Sequence, residues 1–416
     1  MNYFIKHYNN STKEEIPSIK LPSSKSESNR LLIMNALSGR KITIDNFSSA
    51  RDTQTLIKLL KNEATLQTFD VLDAGTAMRF LTAYLAIATQ KEVILTGTKR
   101  MQNRPIGILV EALKSIGCEI SYESKEGYPP LRIKPFQKQT ASKISIPGNI
   151  SSQYISALLM IAPSLPEGLE ISIERPVFSK PYIDMTLSLM KLSGITYNQD
   201  DHIIRIENQN YKVSQQAAES DWSAASYWFS IIAQSQIGKK VFLSGLKPVS
   251  FQGDNVIKEI AQKFGLNFKF KNNGVELEKL SWVKQQKLQL DFTKCPDLAQ
   301  TVLPCAASLK VNLSITGLES LRIKETDRIH ALQQELAKFN CELEEEKKGN
   351  WELNSTNFIL NKEVAIDTYE DHRMAMGFAP LAMRQELIIR DVEVVNKSYP
   401  SFWTDLQAFG FELFEQ

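Results

Sequence analysis

The stretch Leu321 to Arg328 places Lys324, Glu325 and Arg328 within about one helical turn of each other. Two cations beside a carboxylate suit an anionic ligand that must also exchange a proton. By itself such a stretch equally describes a solvated helix N-terminus laced with charge pairs. Further groups of the same kind recur along the chain. Lys25, Ser26 and Arg30 combine a point cation, a hydroxyl and a planar fork suited to a carboxylate. Gly75 and Thr76 offer backbone that a ligand can approach closely, and Arg104 stands just ahead of Pro105 at a helix start. Ser151, Ser152 and Gln153, then Ser179 and Tyr182, could bind phosphate or simply cap helices. Asp297, His372, Arg373 and Lys397 complete the set.

These residues fall where apolar runs begin. Six segments share one layout: a short polar motif, an apolar run of helical length, a turn and a β-rich strand, starting near Ser26, Asp73, Ser151, Asp221, Pro296 and Asp371. Free backbone N–H groups and the positive end of the helix dipole favour anions at such starts. Capping explains Ser and Asp there, but it does not require Arg30, Arg79 or Arg373. Most units continue into an amphipathic helix, as at Ile108, Leu109, Ala112, Leu113 and Ile116. Gly117, Gly194, Gly265, Asn340 and Gly410 then sit where a left-handed C-cap belongs, with Asn62 in the same place in the first unit. Pro304 and Pro380 interrupt two of the apolar runs and argue against continuous helix there.

The pattern predicts an α/β protein of two lobes with three units each. Residues 20–216 form the expected first lobe and residues 217–416 the second; only the resemblance described below places residues 1–19 with the second. The crossings lie near Leu21 and near Ser214 to Glu219. Composition sets the outer limits. A chain of 416 residues with 43% hydrophobic and 23% charged residues fits a globular protein with substantial cores. A net charge of +2 gives no support for a broad basic face, and no nucleic-acid partner is expected. No run reaches the roughly 18 apolar residues of a membrane span, and the first eight residues do not make a signal peptide, so no membrane partner and a cytoplasmic setting are expected. The four cysteines, Cys118, Cys295, Cys305 and Cys341, lack metal-ligand spacing and are expected as reduced thiols.

In order along the chain, Lys25-Ser26, Asn29-Arg30, Ala74 to Arg79, Arg104 to Gly107, Ser151 to Gln153, Ser179 to Asp184, Pro296-Asp297, Lys324 to Arg328, Asp371 to Met376 and Lys397 resemble the motifs of the 5-enolpyruvylshikimate-3-phosphate synthase family. The resemblance runs nearly end to end. It implies two lobes, each of three βαβαββ repeat units around buried helices, an inside-out α/β barrel with the active site in the cleft between lobes. It also implies transfer of the enolpyruvyl group of phosphoenolpyruvate to the 5-hydroxyl of shikimate 3-phosphate, a step of the shikimate pathway to chorismate and the aromatic amino acids. No cofactor and no metal are implied, and a monomer is expected.

Residue roles follow from the same resemblance. Lys25, Gly75, Arg104, Gln153, Arg328, Arg373 and Lys397 would hold phosphoenolpyruvate. Lys25, Ser26, Arg30, Ser151, Ser152, Gln153, Ser179, Tyr182, Asp297, Ser320 and Lys324 would hold shikimate 3-phosphate. Asp297 would act as base at the 5-hydroxyl and Glu325 as proton donor and acceptor, with Lys25 assisting. Glyphosate would bind through Gly75. Four positions depart from the family pattern: Ser23 for Gly, Asp73 for Asn, Phe80 for Pro and Ser320 for Asn. Asp73 would weaken anion binding unless Arg79 or another cation pairs with it. The alternatives are the sister enolpyruvyl transferase acting on UDP-N-acetylglucosamine, which carries a reactive cysteine in a mobile loop, a non-catalytic phosphometabolite-binding relative, and an RNA-end-processing relative of the same repeat fold.

Overall fold

The computed structural model describes residues 1–7, 16–361 and 363–416. Residues 8–15, part of the N-terminal segment assigned above to the second lobe, lie outside the described residues. The chain forms two compact units, one of Met1–Pro22 with Glu219–Gln416 and one of Ser23–Ala218.

In the continuous unit, three helices that are largely apolar beyond their first turns pack on one another: Lys25–Leu37, Gly75–Ala88 and Ser152–Ile161. Most of their residues are buried on every face, so they form the core rather than cover it. Three sheets surround them. In one, Thr68–Asp70 runs parallel to Val93–Thr96, the two being joined through Gly75–Ala88, and a hairpin of Ile120–Tyr122 and Leu131–Ile133 adds antiparallel strands. A second repeats this order with Lys143–Pro147, Leu169–Glu174, Ile203–Ile206 and Asn198–Asp200. The third is a parallel pair, Ile42–Asp45 with Ser214–Ala217.

The discontinuous unit has the same construction. Its central helices are Trp222–Gln234, Ala299–Ser308 and His372–Phe378, in mutual contact. Each of its three sheets has four strands, beginning with a parallel pair. In the last, the third position is filled by Tyr3–His7, which pairs antiparallel with both Leu387–Ile389 and Phe411–Glu415.

Gly117, Gly194, Gly265, Asn340 and Gly410 all have positive φ, as the capping pattern requires. Asn62 does not follow them: its φ of −106° makes it an ordinary last-turn residue. The proline expectation also needs correction. The helix Ala299–Ser308 runs through Pro304, which takes the donor from the Gln300 carbonyl one turn back. A Cβ on Gly377 would lie 2.1 Å from that oxygen, so the glycine lets the next central helix close over it. Pro380 instead sits in the first turn of the 3₁₀ segment Ala379–Met383, where the α-helix has already ended.

Candidate functional site

The expected site residues fall into two groups, one in each unit. In the continuous unit, Ser24 caps the helix that carries Lys25, Ser26 and Arg30. Arg30 is 1% exposed. Its Nε donates to Thr186 Oγ1 at 2.7 Å, Nη1 to the Ser26 carbonyl at 2.9 Å, and Nη2 to Ser156 Oγ at 3.0 Å and the Tyr182 carbonyl at 3.2 Å. The guanidinium lies 5.3 Å from the Phe80 ring centre and 5.8 Å from that of Tyr182. Phe80, a departure from the family pattern, is thus the floor under Arg30. Burial lowers the pKa of Arg30 to about 10, which leaves it charged at neutral pH.

Arg104 lies over Gly75, the first residue of its helix. A Cβ there would come within 2.5 Å of Arg104 Nη1. The Nε of Arg104 is buried without a hydrogen-bond partner. Arg79 does not turn to Asp73: its Nη atoms bond the Gly75 carbonyl at 3.1 Å and the Pro105 carbonyl at 3.2 Å. Asp73 accepts from Thr98 Oγ1 and faces Arg51 Nη2 at 4.0 Å, so the compensating cation is Arg51. Lys25 donates to buried Asp52 at 3.1 Å. Gln153 Nε2 bonds Thr76 Oγ1 at 3.0 Å, which ties the starts of two central helices together. Ser151 caps Ser152–Ile161 through the Gln153 N–H. Ser179 precedes Lys180–Leu192 at φ +53°, a left-handed conformation costing a serine roughly 1–3 kcal/mol. Ser23 is buried ahead of the first cap.

The discontinuous unit gathers the charged motifs into one network. Asp297 lies in the 3₁₀ turn Pro296–Leu298 that leads into a central helix. Its Oδ1 accepts from Arg328 Nη1 at 2.7 Å and lies 3.4 Å from Lys324 Nζ, and its Oδ2 accepts from Arg373 Nη2 at 3.1 Å. Arg328, 2% exposed, also donates to Glu325 Oε2 at 2.7 Å and to Asp371 Oδ2 at 2.7 Å. Lys324 and Glu325 lie outside any helix, although their spacing fits one helical turn. A 3₁₀ turn Glu319–Ile323, which holds half-buried Ser320, ends before them. Asp327 then caps the helix Arg328–Ala337. Lys397 is buried at the end of the 3₁₀ segment Val392–Lys397.

Burial would raise the pKa of Asp297, but Arg373, Lys324 and Arg328 overcome it and hold the carboxyl well below the usual range. Arg328 is driven the other way: burial opposes its charge, and Asp371, Glu325 and Asp297 together raise its pKa above the ordinary value. Three carboxylates and three cations therefore stand in mutual contact.

Asp371 and Asp52 were not among the expected site residues. Asp371 opens the stretch Asp371 to Met376, where its place just before a central helix marks it as a cap. For Asp52, on the surface helix Arg51–Lys61, the sequence held no comparable signal. Burial pushes the thiols of Cys118, Cys305 and Cys341 up to about 12, far from a reactive thiolate. Among the described residues no cluster of side chains could hold a metal ion, and no helix is long and apolar enough to cross a membrane.

The family model for EPSP synthase (3-phosphoshikimate 1-carboxyvinyltransferase) matches residues 62–406. A 3-phosphoshikimate 1-carboxyvinyltransferase of Bacteroides fragilis strain YCH46 is 45% identical over 395 residues, covering 94% of this chain and 95% of its own. One from Photobacterium damsela subsp. piscicida is 34% identical over 429 residues, covering 94% and 96%. The solved structure of EPSP synthase from Acinetobacter baumannii matches with a TM-score of 0.79 over the whole of both chains at 17% identity, which establishes the α/β fold. The chain belongs to the EPSP synthase (3-phosphoshikimate 1-carboxyvinyltransferase) family of transferases.

Proposed function

We infer that the protein transfers the enolpyruvyl group of phosphoenolpyruvate to the 5-hydroxyl of shikimate 3-phosphate and releases phosphate, as a cytoplasmic monomer without cofactor or metal. Its two units are the lobes of the family fold, each of three repeats of the βαβαββ kind, of which the one at Ile42–Asp45 and Ser214–Ala217 keeps only its parallel pair of strands. The observation that carries the reading is the network around Asp297. It combines cations for a phosphate and a carboxylate with carboxylates for proton transfer.

Arg104, Arg328, Arg373, Lys397 and Lys25 hold phosphoenolpyruvate, with Gly75 and Gln153 shaping its surroundings. Ser26 and Arg30 take the shikimate carboxylate. Ser151, Ser152, Ser179 and Lys324 take its phosphate, with Gln153 and Tyr182 beside it and Ser320 toward a hydroxyl. In the addition step the 5-hydroxyl oxygen bonds to the enol carbon, its proton passes to Asp297, and Glu325, with Lys25 assisting, delivers a proton to the methylene carbon. In the elimination step Glu325 takes a proton back from the methyl group, and phosphate leaves with the C–O bond electrons and the proton that Asp297 held. A carboxylate held as low as Asp297 is a weak base. The incoming phosphate and carboxylate of phosphoenolpyruvate would draw Arg328 and Arg373 toward themselves and raise its basicity, which couples binding to chemistry.

The test is phosphate release from phosphoenolpyruvate with shikimate 3-phosphate, run beside UDP-N-acetylglucosamine. Release with the first acceptor alone is expected. Release only with the sugar nucleotide, or with neither, would reject the reading. Glyphosate should compete with phosphoenolpyruvate through Gly75, and an inhibition pattern independent of phosphoenolpyruvate concentration would remove that part.

A further inference from the structure

Arg373 has an acceptor outside the charged network. Besides Asp297, its Nη2 donates to Ser223 Oγ at 3.3 Å. Ser223 lies in the first turn of the central helix Trp222–Gln234, whose N-cap Asp221 bonds the Ser223 N–H at 2.7 Å and so fixes the residue's backbone. The Ser223 hydroxyl donates in turn to Asp254 Oδ2. Asp254 sits in the 3₁₀ turn Gly253–Val256, 4% exposed, and makes no ion pair among the described residues. Its other oxygen, Oδ1, is buried without a hydrogen-bond partner.

A serine hydroxyl has one proton to give. With that proton committed to the Asp254 carboxylate, the oxygen lone pairs are left for Arg373, so the guanidinium meets an acceptor on each side. Without the carboxylate, the hydroxyl is free to turn its proton toward a cation that has only donors to offer. A buried carboxylate linked to Arg373 through a single hydroxyl, with no ion pair of its own among the described residues, is costly to keep for stability alone.

We propose that Asp254 is a positioning residue which, through the Ser223 hydroxyl, sets the orientation of Arg373 for phosphoenolpyruvate. This rests on the function proposed above and assigns a role to two residues that the reaction itself does not use. Burial raises the pKa of Asp254 to about 6, against the pull of Arg373, so it is mainly ionised at neutral pH, as the relay requires.

The test is a double-mutant cycle of Ser223→Ala and Asp254→Asn, with kcat and both KM values measured for each protein. Each single variant should raise the KM for phosphoenolpyruvate about tenfold, the scale of a hydrogen bond to a charged group, while the KM for shikimate 3-phosphate and kcat change less than about twofold. In the Ser223→Ala background, Asp254→Asn should add nothing further. Additive losses, or losses shared equally by both substrates, would overturn the relay while leaving the transferase reading intact. Absence of turnover in the unaltered protein would overturn both. If Asp254→Asn melts below the assay temperature, Ser223→Ala decides alone: an unchanged phosphoenolpyruvate KM overturns the relay.

Discussion

Arg328 in one unit and Arg30 in the other are both buried, yet they are held by opposite means. Around Asp297, three cations, Lys324, Arg328 and Arg373, are matched by three carboxylates, Asp297, Glu325 and Asp371. Arg30, by contrast, is held by two carbonyls, two hydroxyls and two aromatic rings, and neither it nor Arg104 makes an ion pair with a carboxylate among the described residues. Neutral acceptors orient a guanidinium and leave its charge for a ligand. A matched network spends that charge internally, and a ligand must displace partners to gain it. The first arrangement suits binding and the second suits proton transfer.

The largest effect expected from this contrast is chemical. Glu325→Gln keeps the shape of the matched network but removes its proton carrier, so kcat should fall about 10²–10⁴-fold while both KM values stay within about threefold. Unchanged turnover would remove Glu325 from proton transfer and blur the distinction. Next is stability. Arg328→Met removes the cation that three carboxylates share and should cost about 3–5 kcal/mol by urea denaturation, whereas Arg104→Met should cost under about 1 kcal/mol and act on phosphoenolpyruvate affinity. Equal losses in the two variants would break the comparison.

The third effect is on acid stability. The folded pKa of Asp297 is depressed, so its contribution is complete above the unfolded value near 3.9 and is lost as pH falls below it toward the folded value. Asp297→Asn should therefore flatten the acid limb of a stability–pH curve, and an unaltered limb would contradict the depressed pKa. The smallest effect belongs to the neutral-acceptor side. Gly75→Ala should push Arg104 aside and raise the phosphoenolpyruvate KM about tenfold, with stability and the KM for shikimate 3-phosphate little changed. A shift confined to shikimate 3-phosphate would show that Arg104 serves the other substrate.

Much of this was legible in the sequence, because helix starts and left-handed caps are local. The central helices begin where polar motifs meet apolar runs, and Gly117, Gly194, Gly265, Asn340 and Gly410 cap as their residue types require. What depends on contacts across the chain was not legible. That Arg51 rather than Arg79 answers Asp73 follows from packing, since Arg79 is drawn to the Gly75 and Pro105 carbonyls. Pro304 read as a break because its cost is local, while the room beside the freed Gln300 carbonyl comes from Gly377, more than seventy residues on. Lys324 and Glu325 read as helical by spacing, but the Asp327 cap starts the helix only at Arg328.

The path of the chain through its sheets also bears on the order in which they can form. Ser23–Ala218 is an unbroken segment, and every strand pairing of that unit lies within it. The other unit pairs Ser18–Lys20 with residues of Lys240–Ser244, and Tyr3–His7 with Phe411–Glu415. During vectorial synthesis the continuous unit can fold while the first strands wait unpaired, and the last sheet closes only after Phe411–Glu415 has emerged. The matched network around Asp297 belongs to the unit that finishes last.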